Sequence, residues 1–420
     1  MQNIIEGPKK LNKTMKKTLF LLLASLLSIS TFAQHLHEHD YPVITEEHPT
    51  IRAMMDSVSV DSIEATIAHL CSFYNRRCDS RHIYEVQDWL AARYNSLEGI
   101  DTVVLHDFKI NKPGYPEETG DNIIAIQWGL TKPEEFVVCG AHYDSWNSDT
   151  SDPDTVRAPG ADDNATGVAG IWETARLLSQ HKFDRSIIYA HWCAEEIGLI
   201  GSEAYAKECA EKQMDIVGYL NLDMTGYLEE GTDIHIHLIY VNRDSLLANF
   251  YYNLCDIYYP EMPIRQNWLA SGDSDFSSFN RSGYAALHPF EDVHSYSPYI
   301  HTRQDVLGVS VNNLEQCKRF AELNLGAVAH LAGLNNTSVE EHETPAVALF
   351  PNPAKDAVQI SAEEGLRHIA VYNLLGQPII IQDLDGQNQY KLNTSGFAPG
   401  IYVVEIMTEK GISTKRLVVD

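Results

Sequence analysis

Four short segments of the chain carry side chains that suit a metal site. Their ionisable residues are His142 and Asp144, Asp162 and Asp163, Glu195 and Glu196, and Asp223. Imidazole nitrogen and carboxylate oxygen are ligands that Zn²⁺ takes readily, and a catalytic zinc keeps one position open for water. Two metal ions held about 3.5–4 Å apart need a bridging carboxylate, which the Asp162–Asp163 pair can supply. These residue types indicate a hydrolytic site with more than one zinc ion.

The glutamate pair and Asp144 suggest how the chemical roles divide. Successive side chains of a strand point to opposite faces, so Glu195 and Glu196 cannot point the same way. One of them can bind metal while the other acts on the attacking water as a general base. Asp144 lies two residues after His142 and is predicted to fix the tautomer of that imidazole and raise its basicity.

Short apolar runs position three of these segments. Residues 136–141, 186–194 and 216–222 directly precede them, and residues 165–179 have a helical pattern. Such runs, alternating with helices, are typical of the buried strands of an α/β sheet that is largely parallel and flanked by helices. Open α/β sheets bind ligands outside the carboxyl ends of their strands. We therefore expect the imidazole and the carboxylates to converge at one edge of the sheet.

Each segment taken alone also has an ordinary structural explanation. A single His-x-Asp is more often a hydrogen bond than a metal site, and Asn164 or Thr166 could simply cap a helix. Adjacent glutamates are usually a solvated charge pair. Glu195 and Glu196, however, follow a buried-strand pattern, where unpaired carboxylates would be costly. The combination of the four segments favours the metal site.

The same segments resemble those of the co-catalytic di-zinc aminopeptidases of the secreted bacterial leucyl-aminopeptidase type, relatives of glutamate carboxypeptidases and glutaminyl cyclases. The resemblance covers residues 61–333 and includes a fifth segment, residues 299–302 with Asp305. It implies two zinc ions per chain, peptide substrates, Glu195 as general base and Asp163 as the bridging ligand. The metal ligands that it implies are His142, Asp163, Glu196, Asp223 and His301.

The segment between Asp223 and His301 is expected to shape the substrate pocket. Residues 274–276 read Ser-Asp-Phe where the family usually has Ser-Asp-His. The predicted substrate-binding residues are Met224, Phe276 and Phe279. A glutaminyl-peptide cyclase or a carboxypeptidase on the same fold, and a catalytically silent surface binding module, remain as alternatives. The complete ligand set favours a two-metal enzyme, and the sparse arginines around the site argue against a carboxypeptidase.

Residues 1–34 predict a signal peptide, with Met15 as the expected start. Five lysines precede the apolar residues 19–29, a run too short to span a bilayer. Residues 35–50 are a predicted flexible lead-in, and residues 51–334 the predicted peptidase domain. No other apolar run reaches membrane-spanning length, which predicts a chain without a transmembrane segment. The formal net charge of −27 argues against nucleic acid as a partner.

The composition changes after residue 334. Residues 335–346 predict a linker, and residues 347–420 predict a small β-sandwich with short Val-, Ile- and Tyr-rich strands. Phe-Pro-Asn-Pro at 350–353 and Pro-Gly-Ile-Tyr at 399–402 resemble the C-terminal sorting domain of type IX secretion. The resemblance implies recognition by the type IX machinery. It places the protein outside the cell or on its surface, exported through the periplasm of a two-membrane bacterium.

The chain has seven cysteines, so at least one cannot pair within it. Cys71 and Cys78 are close enough for a local disulfide in an oxidising space. Cys139 and Cys193 lie in predicted core strands, where free buried cysteines are common.

Overall fold

The computed structural model describes residues 36–113, 115, 118–148, 154–269, 273–335, 347–363, 365–373, 376–408 and 410–419. The predicted signal peptide lies outside these residues, and so does the predicted linker apart from Asn335.

An eight-stranded sheet forms the centre of the larger part of the chain, in the order β1-β2-β4-β3-β5-β8-β6-β7. The middle strands β4, β3, β5 and β8 run parallel, and antiparallel pairs flank them. The prediction of a mixed, largely parallel sheet is therefore confirmed. The strands are β1 Thr102–Ile110, β2 Glu118–Gln127, β3 Lys132–His142, β4 Arg185–Trp192, β5 Asp215–Asn221, β6 Ile236–Ile239, β7 Ile264–Asn267 and β8 Ala286–Phe290.

Helices cover the sheet, and side-chain caps mark several of their ends. Ser59 accepts the N–H of Ser62 at the start of α2, and Asn313 accepts that of Gln316 at the start of α8. Within the described ranges, no helix is long and apolar enough to cross a membrane. The helices are α1 Pro49–Asp56, α2 Val60–Ser72, α3 Ile83–Asn95, α4 Thr166–Leu178, α5 Ile200–Glu211, α6 Ser245–Tyr258, α7 Phe276–Arg281 and α8 Leu314–Ala332.

The alternation of side chains along the strands builds two apolar cores. Val137 and Cys139 of β3 pack into the core on one face of the sheet, whereas Phe136 and Val138 pack into the core on the other. This two-sided burial explains why the strand sequences read as continuous apolar runs.

The strand register brings the site-bearing ends together. His142 at the end of β3 pairs with Trp192 at the end of β4, and Gly140 pairs with Asn221 at the end of β5. Because the three strands are parallel, the residues that follow each of them emerge at the same edge of the sheet.

Residues from 347 onward form two antiparallel sheets, of strand order β13-β10-β9 and β12-β11-β14-β15. Their inward-facing side chains, including Val358, Ile369 and Val404, form one apolar cluster. This confirms the predicted small β-sandwich. Its strands are β9 Val347–Phe350, β10 Ala357–Ala362, β11 Leu366–Asn373, β12 Pro378–Asp383, β13 Gln389–Asn393, β14 Gly400–Thr408 and β15 Ile412–Val419.

All seven cysteines are free thiols. The local Cys71–Cys78 disulfide that the sequence separation allows is therefore not formed. Cys78, like Cys139 and Cys193, is buried, and Cys71 is half-buried. The sequence separation of the two cysteines allowed a bridge, but the fold packs each thiol against other neighbours.

Candidate metal centre

The structure brings the five predicted ligands to one site at the carboxyl edge of the sheet. His142 ends β3, Glu196 follows β4 and Asp223 follows β5. Asp163 lies in the tight turn of residues 161–165 that leads into α4, and His301 lies in the long loop between β8 and α8.

Asp163 lies between the two histidines. Its Oδ1 is 3.2 Å from Nε2 of His142, and its Oδ2 is 3.0 Å from Nε2 of His301. A carboxylate that directs one oxygen toward each imidazole has the geometry of a bridging ligand.

Two further carboxylates lie beside the imidazoles, so each imidazole belongs to a set of three candidate ligands. Oε2 of Glu196 is 2.9 Å from Nε2 of His301, and Oδ1 of Asp223 is 3.5 Å from Nε2 of His142. Two sets of one nitrogen and two carboxylate oxygens follow, and they share Asp163.

Buried polar atoms without hydrogen bonds test whether the site suits cations. Among the described residues, Nε2 of His142, Oε1 of Glu196 and Oδ1 of Asp223 are buried and have no hydrogen-bond partner. The nearest carboxylate to that nitrogen is Oδ1 of Asp163, at 3.2 Å. Buried polar groups are otherwise almost always paired. These atoms all belong to the ligand set, and their chemistry fits zinc.

The pKa values report the excess of negative charge in the site. Burial, together with the charge of Asp163, raises the pKa of Glu196 to about 8. Burial lowers the pKa of His301, but hydrogen bonds to Asp163 and Glu196 outweigh it and raise that pKa to about 11. Burial also raises the pKa of Glu195 well above its ordinary value. Crowded carboxylates of this kind are stabilised by bound cations.

Glu195 lies beside the set at His142, and its carboxylate also falls within 4.8 Å of ligand atoms of His142 and Asp223. Its Oε2 is 3.9 Å from Nε2 of His142, farther than the carboxylates of Asp163 and Asp223. Distance alone would admit Glu195 as a ligand, but each imidazole already has two closer carboxylates. Glu195 therefore remains available to act on a water molecule.

Asp144 contacts the site through different atoms from those predicted. Nδ1 of His142 lies 3.1 Å from the backbone oxygen of Asp144, whereas the carboxylate Oδ1 is 3.6 Å away. The backbone carbonyl thus fixes the imidazole tautomer. The carboxylate instead accepts the N–H groups of Glu195 and Glu196, at 3.2 and 3.3 Å. Asp144 therefore holds the glutamate pair in place.

Asp305 performs the corresponding role for the aspartate turn. It is buried, and its two carboxylate oxygens accept the N–H groups of Asp162 and Asp163, at 2.8 and 3.2 Å. Because Asp305 lies four residues after His301, it ties the loop of one predicted ligand to the turn that carries another.

A glycine allows the aspartate turn to approach the end of β5. A Cβ atom on Gly167 would lie 2.3 Å from the backbone oxygen of Leu222, which is too close for any larger residue. Asn164 fastens the same contact, because its amide donates to Leu222 O and its oxygen accepts Gly167 N–H. The turn with Asp163 therefore lies directly against the loop with Asp223.

Residues next to the ligands adopt backbone conformations that non-glycine residues rarely adopt. The φ angles are +61° at Ala194, +56° at Met224 and +56° at His301. Such conformations cost of order 1–3 kcal/mol each and cluster at functional sites. They aim the neighbouring carboxylates and the imidazole of His301 into the site.

Arg76 is a buried residue of the site that sequence reasoning missed. Its Nε donates to Tyr143 O at 2.8 Å, and its Nη2 donates to Gly160 O at 2.7 Å. The same guanidinium also donates to Pro159 O. One side chain therefore joins the strand end that carries His142 to the start of the aspartate turn. A run of apolar residues around Arg76 would have indicated that this position is buried. The sequence there contains no such run.

We expect Arg76→Met to destabilise the protein and loosen metal binding. The substitution leaves four buried carbonyl groups, including that of Leu70, without their charged donor, which should cost about 3–5 kcal/mol of unfolding free energy. Denaturant unfolding and elemental analysis of zinc measure the two effects. Arg81→Met is the matched control, because the Arg81 side chain is 76% exposed. Equal stability and equal zinc content in both variants would contradict this role.

The open cavity beside the ligands has a volume of about 310 Å³. Met224 lines it, as predicted for a substrate-binding residue. Phe279 does not contact substrate, because it is fully buried and stacks on Tyr219 in the core. Phe276 is also buried and stacks on His288, which lines the cavity. The two phenylalanines are therefore core residues behind the cavity wall. Their apolar character alone could not show whether they line the cavity or pack in the core.

Comparison with known proteins agrees with this geometry. Residues 122–325 match Peptidase family M28, and residues 348–420 match the Secretion system C-terminal sorting domain. Leucine aminopeptidase 1 of Trichophyton equinum is 28% identical over 306 residues, covering 70% of this chain and 79% of that protein. LapA of Legionella has a TM-score of 0.59 and 25% identity, covering 71% of this chain and 79% of that one. BSAP, a zinc aminopeptidase from Bacillus subtilis, shares the fold, with a TM-score of 0.55 and 17% identity over 66% of this chain and 98% of that one.

The fold and the site together define a zinc exopeptidase of the aminopeptidase class. This excludes a catalytically silent binding module. The chain is similar to Peptidase family M28 over residues 122–325, and it carries a C-terminal sorting domain, which indicates secretion or export to the cell surface by the type IX route.

Proposed function

We propose that the enzyme binds two zinc ions and removes apolar residues from the free N-termini of peptides. The observation that carries this proposal is the position of Asp163, whose two carboxylate oxygens face two different imidazoles. His142 and Asp223 would hold one ion with Asp163, and His301 and Glu196 would hold the other. A single-zinc centre, as in the cyclase alternative, would leave one of these sets without a function.

Glu195 would act as the general base. When bound, zinc supplies Lewis-acid activation of water and of the scissile carbonyl. The carboxylate of Glu195 would take the proton of the attacking water and return it to the leaving amine. Burial raises the pKa of this carboxyl, which strengthens it as a proton acceptor. Asp144 holds Glu195 in place through the N–H bond described above.

The charge of the cavity favours the N-terminus of a peptide. Its described lining residues include five carboxylates and neither arginine nor lysine. A C-terminal carboxylate would lack the bidentate arginine partner that it commonly uses, whereas Asp273, which belongs to neither proposed ligand set, offers a carboxylate to an α-ammonium group. The cavity therefore supports an aminopeptidase over a carboxypeptidase. Its carboxylates are Asp163, Glu195, Glu196, Asp223 and Asp273.

The apolar wall of the cavity suits a branched or aromatic N-terminal side chain. The apolar residues that line the cavity are Met224, Leu269, Phe290 and Ile300. Burying one leucine side chain against such a wall contributes roughly 1.5–3 kcal/mol. We therefore expect a preference for leucine-like N-terminal residues, in line with the similarity to leucine aminopeptidase 1 of Trichophyton equinum.

Peptide end-group chemistry tests the aminopeptidase assignment. We expect a Leu-initiated peptide to be cleaved, its N-acetylated form to be cleaved poorly, and its C-terminally amidated form to be cleaved as well as the parent. Liquid chromatography of the products measures all three rates. If amidation stops the reaction and acetylation does not, the enzyme is a carboxypeptidase; if an N-terminal glutamine cyclises instead, it is a cyclase.

The domain boundaries and the export route belong to the same proposal. The apolar cluster of the sandwich contains only residues from 347 onward, which supports a peptidase domain of residues 51–334 and a separate sorting domain of residues 347–420. The predicted signal peptide of residues 1–34 would deliver the chain to the periplasm. The type IX machinery would then recognise the sandwich.

A further inference from the structure

A lysine from the loop between β1 and β2 reaches the wall of the active-site cavity. Nζ of Lys112 donates a hydrogen bond to the backbone oxygen of Ile197, which directly follows the glutamate pair. Gly198, the next residue, lines the cavity, and a Cβ atom there would lie 3.8 Å from Nζ of Lys112. Because glycine has no side chain, only the backbone of residue 198 stands between the ammonium group and the cavity.

The ammonium group of Lys112 keeps hydrogen-bonding capacity for a ligand. An ammonium has three N–H donors, and the carbonyl of Ile197 takes one of them. Among the side chains that the structure describes, no carboxylate forms an ion pair with Lys112. The side chain is half-buried, so salt and water screen its charge less than that of an exposed lysine. Lys112 is therefore suited to an anion bound in the cavity.

The order of the strands places Lys112 and part of the apolar wall on opposite sides of the metal centre. β2 and β4 lie on one side of β3, whereas β5 and β8 lie on the other. Lys112 precedes β2 and Gly198 follows β4, while Met224 follows β5 and Phe290 ends β8. A peptide with its N-terminal side chain against the apolar wall and its first carbonyl at the metal centre therefore extends its second residue toward Lys112.

We propose that Lys112 binds a carboxylate carried by the second residue of the substrate, on the leaving side of the scissile bond. This inference rests on the proposed aminopeptidase function and names a preference within it. Two kinds of substrate carry a carboxylate there: a dipeptide, at its C-terminus, and a peptide with Asp or Glu in second position. A charge-assisted hydrogen bond from the ammonium group serves both.

The preference is confined to the second residue. In an extended chain each added residue moves the C-terminal carboxylate roughly 3.3 Å farther from the scissile bond. Amidation of a longer peptide is therefore expected to leave its cleavage unaltered, as in the end-group experiment above. Amidation of a dipeptide, by contrast, removes the partner of Lys112.

Two matched pairs of substrates test the proposal. The first pair is Leu-Gly and its C-terminal amide, and the second is Leu-Asp amide and Leu-Asn amide. We expect wild type to cleave the carboxylate-bearing member of each pair with a kcat/KM about tenfold higher, the lower end of what a hydrogen bond to a charged group contributes. Lys112→Met should bring both ratios close to one, and Lys112→Arg should keep them. Lys109→Met is the matched control, because Lys109 is an exposed lysine of β1.

The two pairs distinguish the sources of the carboxylate. A change in the first ratio alone assigns Lys112 to dipeptides, and a change in the second alone assigns it to acidic second residues; either result supports the proposal. Ratios that are the same in wild type and Lys112→Met, even if all rates fall, would show that Lys112 only supports the segment at Ile197, and would overturn it. If Lys112→Met does not fold, Lys112→Gln decides by the same ratios.

The same measurements separate this proposal from the function on which it rests. A wild type that cleaves none of the four substrates would overturn the aminopeptidase function, and the role of Lys112 with it. A wild type that cleaves all four, with ratios that Lys112→Met does not change, would overturn the role of Lys112 alone.

Discussion

Glu195→Gln is expected to abolish nearly all turnover while both zinc ions stay bound. Glutamine keeps the size of the side chain but cannot take a proton from water, and general-base catalysis typically contributes roughly 10²–10⁴-fold to the rate. The substituted residue is not needed for either ligand set, because Asp163, Glu196 and Asp223 lie closer to the imidazoles. We expect kcat to fall by that factor with KM little changed, and elemental analysis to find the zinc content of wild type.

Glu203→Gln is the matched control for this experiment. Glu203 is a surface residue of α5 that pairs with Lys207, and its substitution should leave kcat unaltered. Near-wild-type turnover in Glu195→Gln would refute the general-base assignment. Loss of zinc in the same variant would show that Glu195 is a ligand instead.

Asp163→Ala is expected to lose both zinc ions and with them all measurable turnover. Its two carboxylate oxygens lie 3.2 Å from Nε2 of His142 and 3.0 Å from Nε2 of His301, so its removal takes one ligand from each proposed ion. Removal of Asp223 takes a ligand from the ion at His142 alone. We therefore expect Asp223→Ala to retain one tightly bound zinc, whereas Asp163→Ala retains neither.

Zinc titration of the metal-depleted variants measures this contrast. Asp256→Ala, at an exposed position on α6, should titrate like wild type. The bridging role of Asp163 would be contradicted if Asp163→Ala and Asp223→Ala lost the same single ion. Circular dichroism of each variant shows whether a lost ion reflects a missing ligand or an unfolded chain.

The local sequence was sufficient to predict the parts of the fold in which hydrophobic pattern and burial agree. Strands β3, β4 and β5 are buried on both faces, so their apolar runs end where the site begins. The residue types at these strand ends indicated a metal site, whereas the individual ligands, among them His301 in a long loop, were assigned by the family resemblance. The β-sandwich was predictable for a similar reason, since turn residues separate its strands at short intervals.

Other elements gave weaker signals. β6 and β7 have only four residues each, and β1 alternates between buried and exposed positions along an edge of the sheet. The histidines at the start of β6 meet the carboxylate of Asp292 only across the fold, because Asp292 follows β8, more than fifty residues later in the chain. Such elements are defined by pairing across the fold, which no local pattern records.

The contacts that hold the ligands were also beyond local reasoning. Arg76 acts on carbonyl groups 67 to 84 positions later in the chain, and Asp305 acts on amides more than 140 positions earlier. Asp144 was predicted to contact the site, yet the sequence could not show that its carboxylate binds the glutamate pair and that only its carbonyl meets His142. Backbone hydrogen bonds of this kind depend on loop geometry.

Because the cysteine side chains are buried only in the folded protein, folding competes with thiol oxidation during export. An unfolded chain presents seven thiols to any oxidant that it meets, and each can form a mixed or mispaired disulfide. In the folded protein six of them are buried, and burial raises the pKa of the half-buried Cys71 to about 11, so reactive thiolate is scarce. Folding therefore protects the thiols without pairing them. The yield of active enzyme then depends on whether the chain folds faster than its cysteines are oxidised.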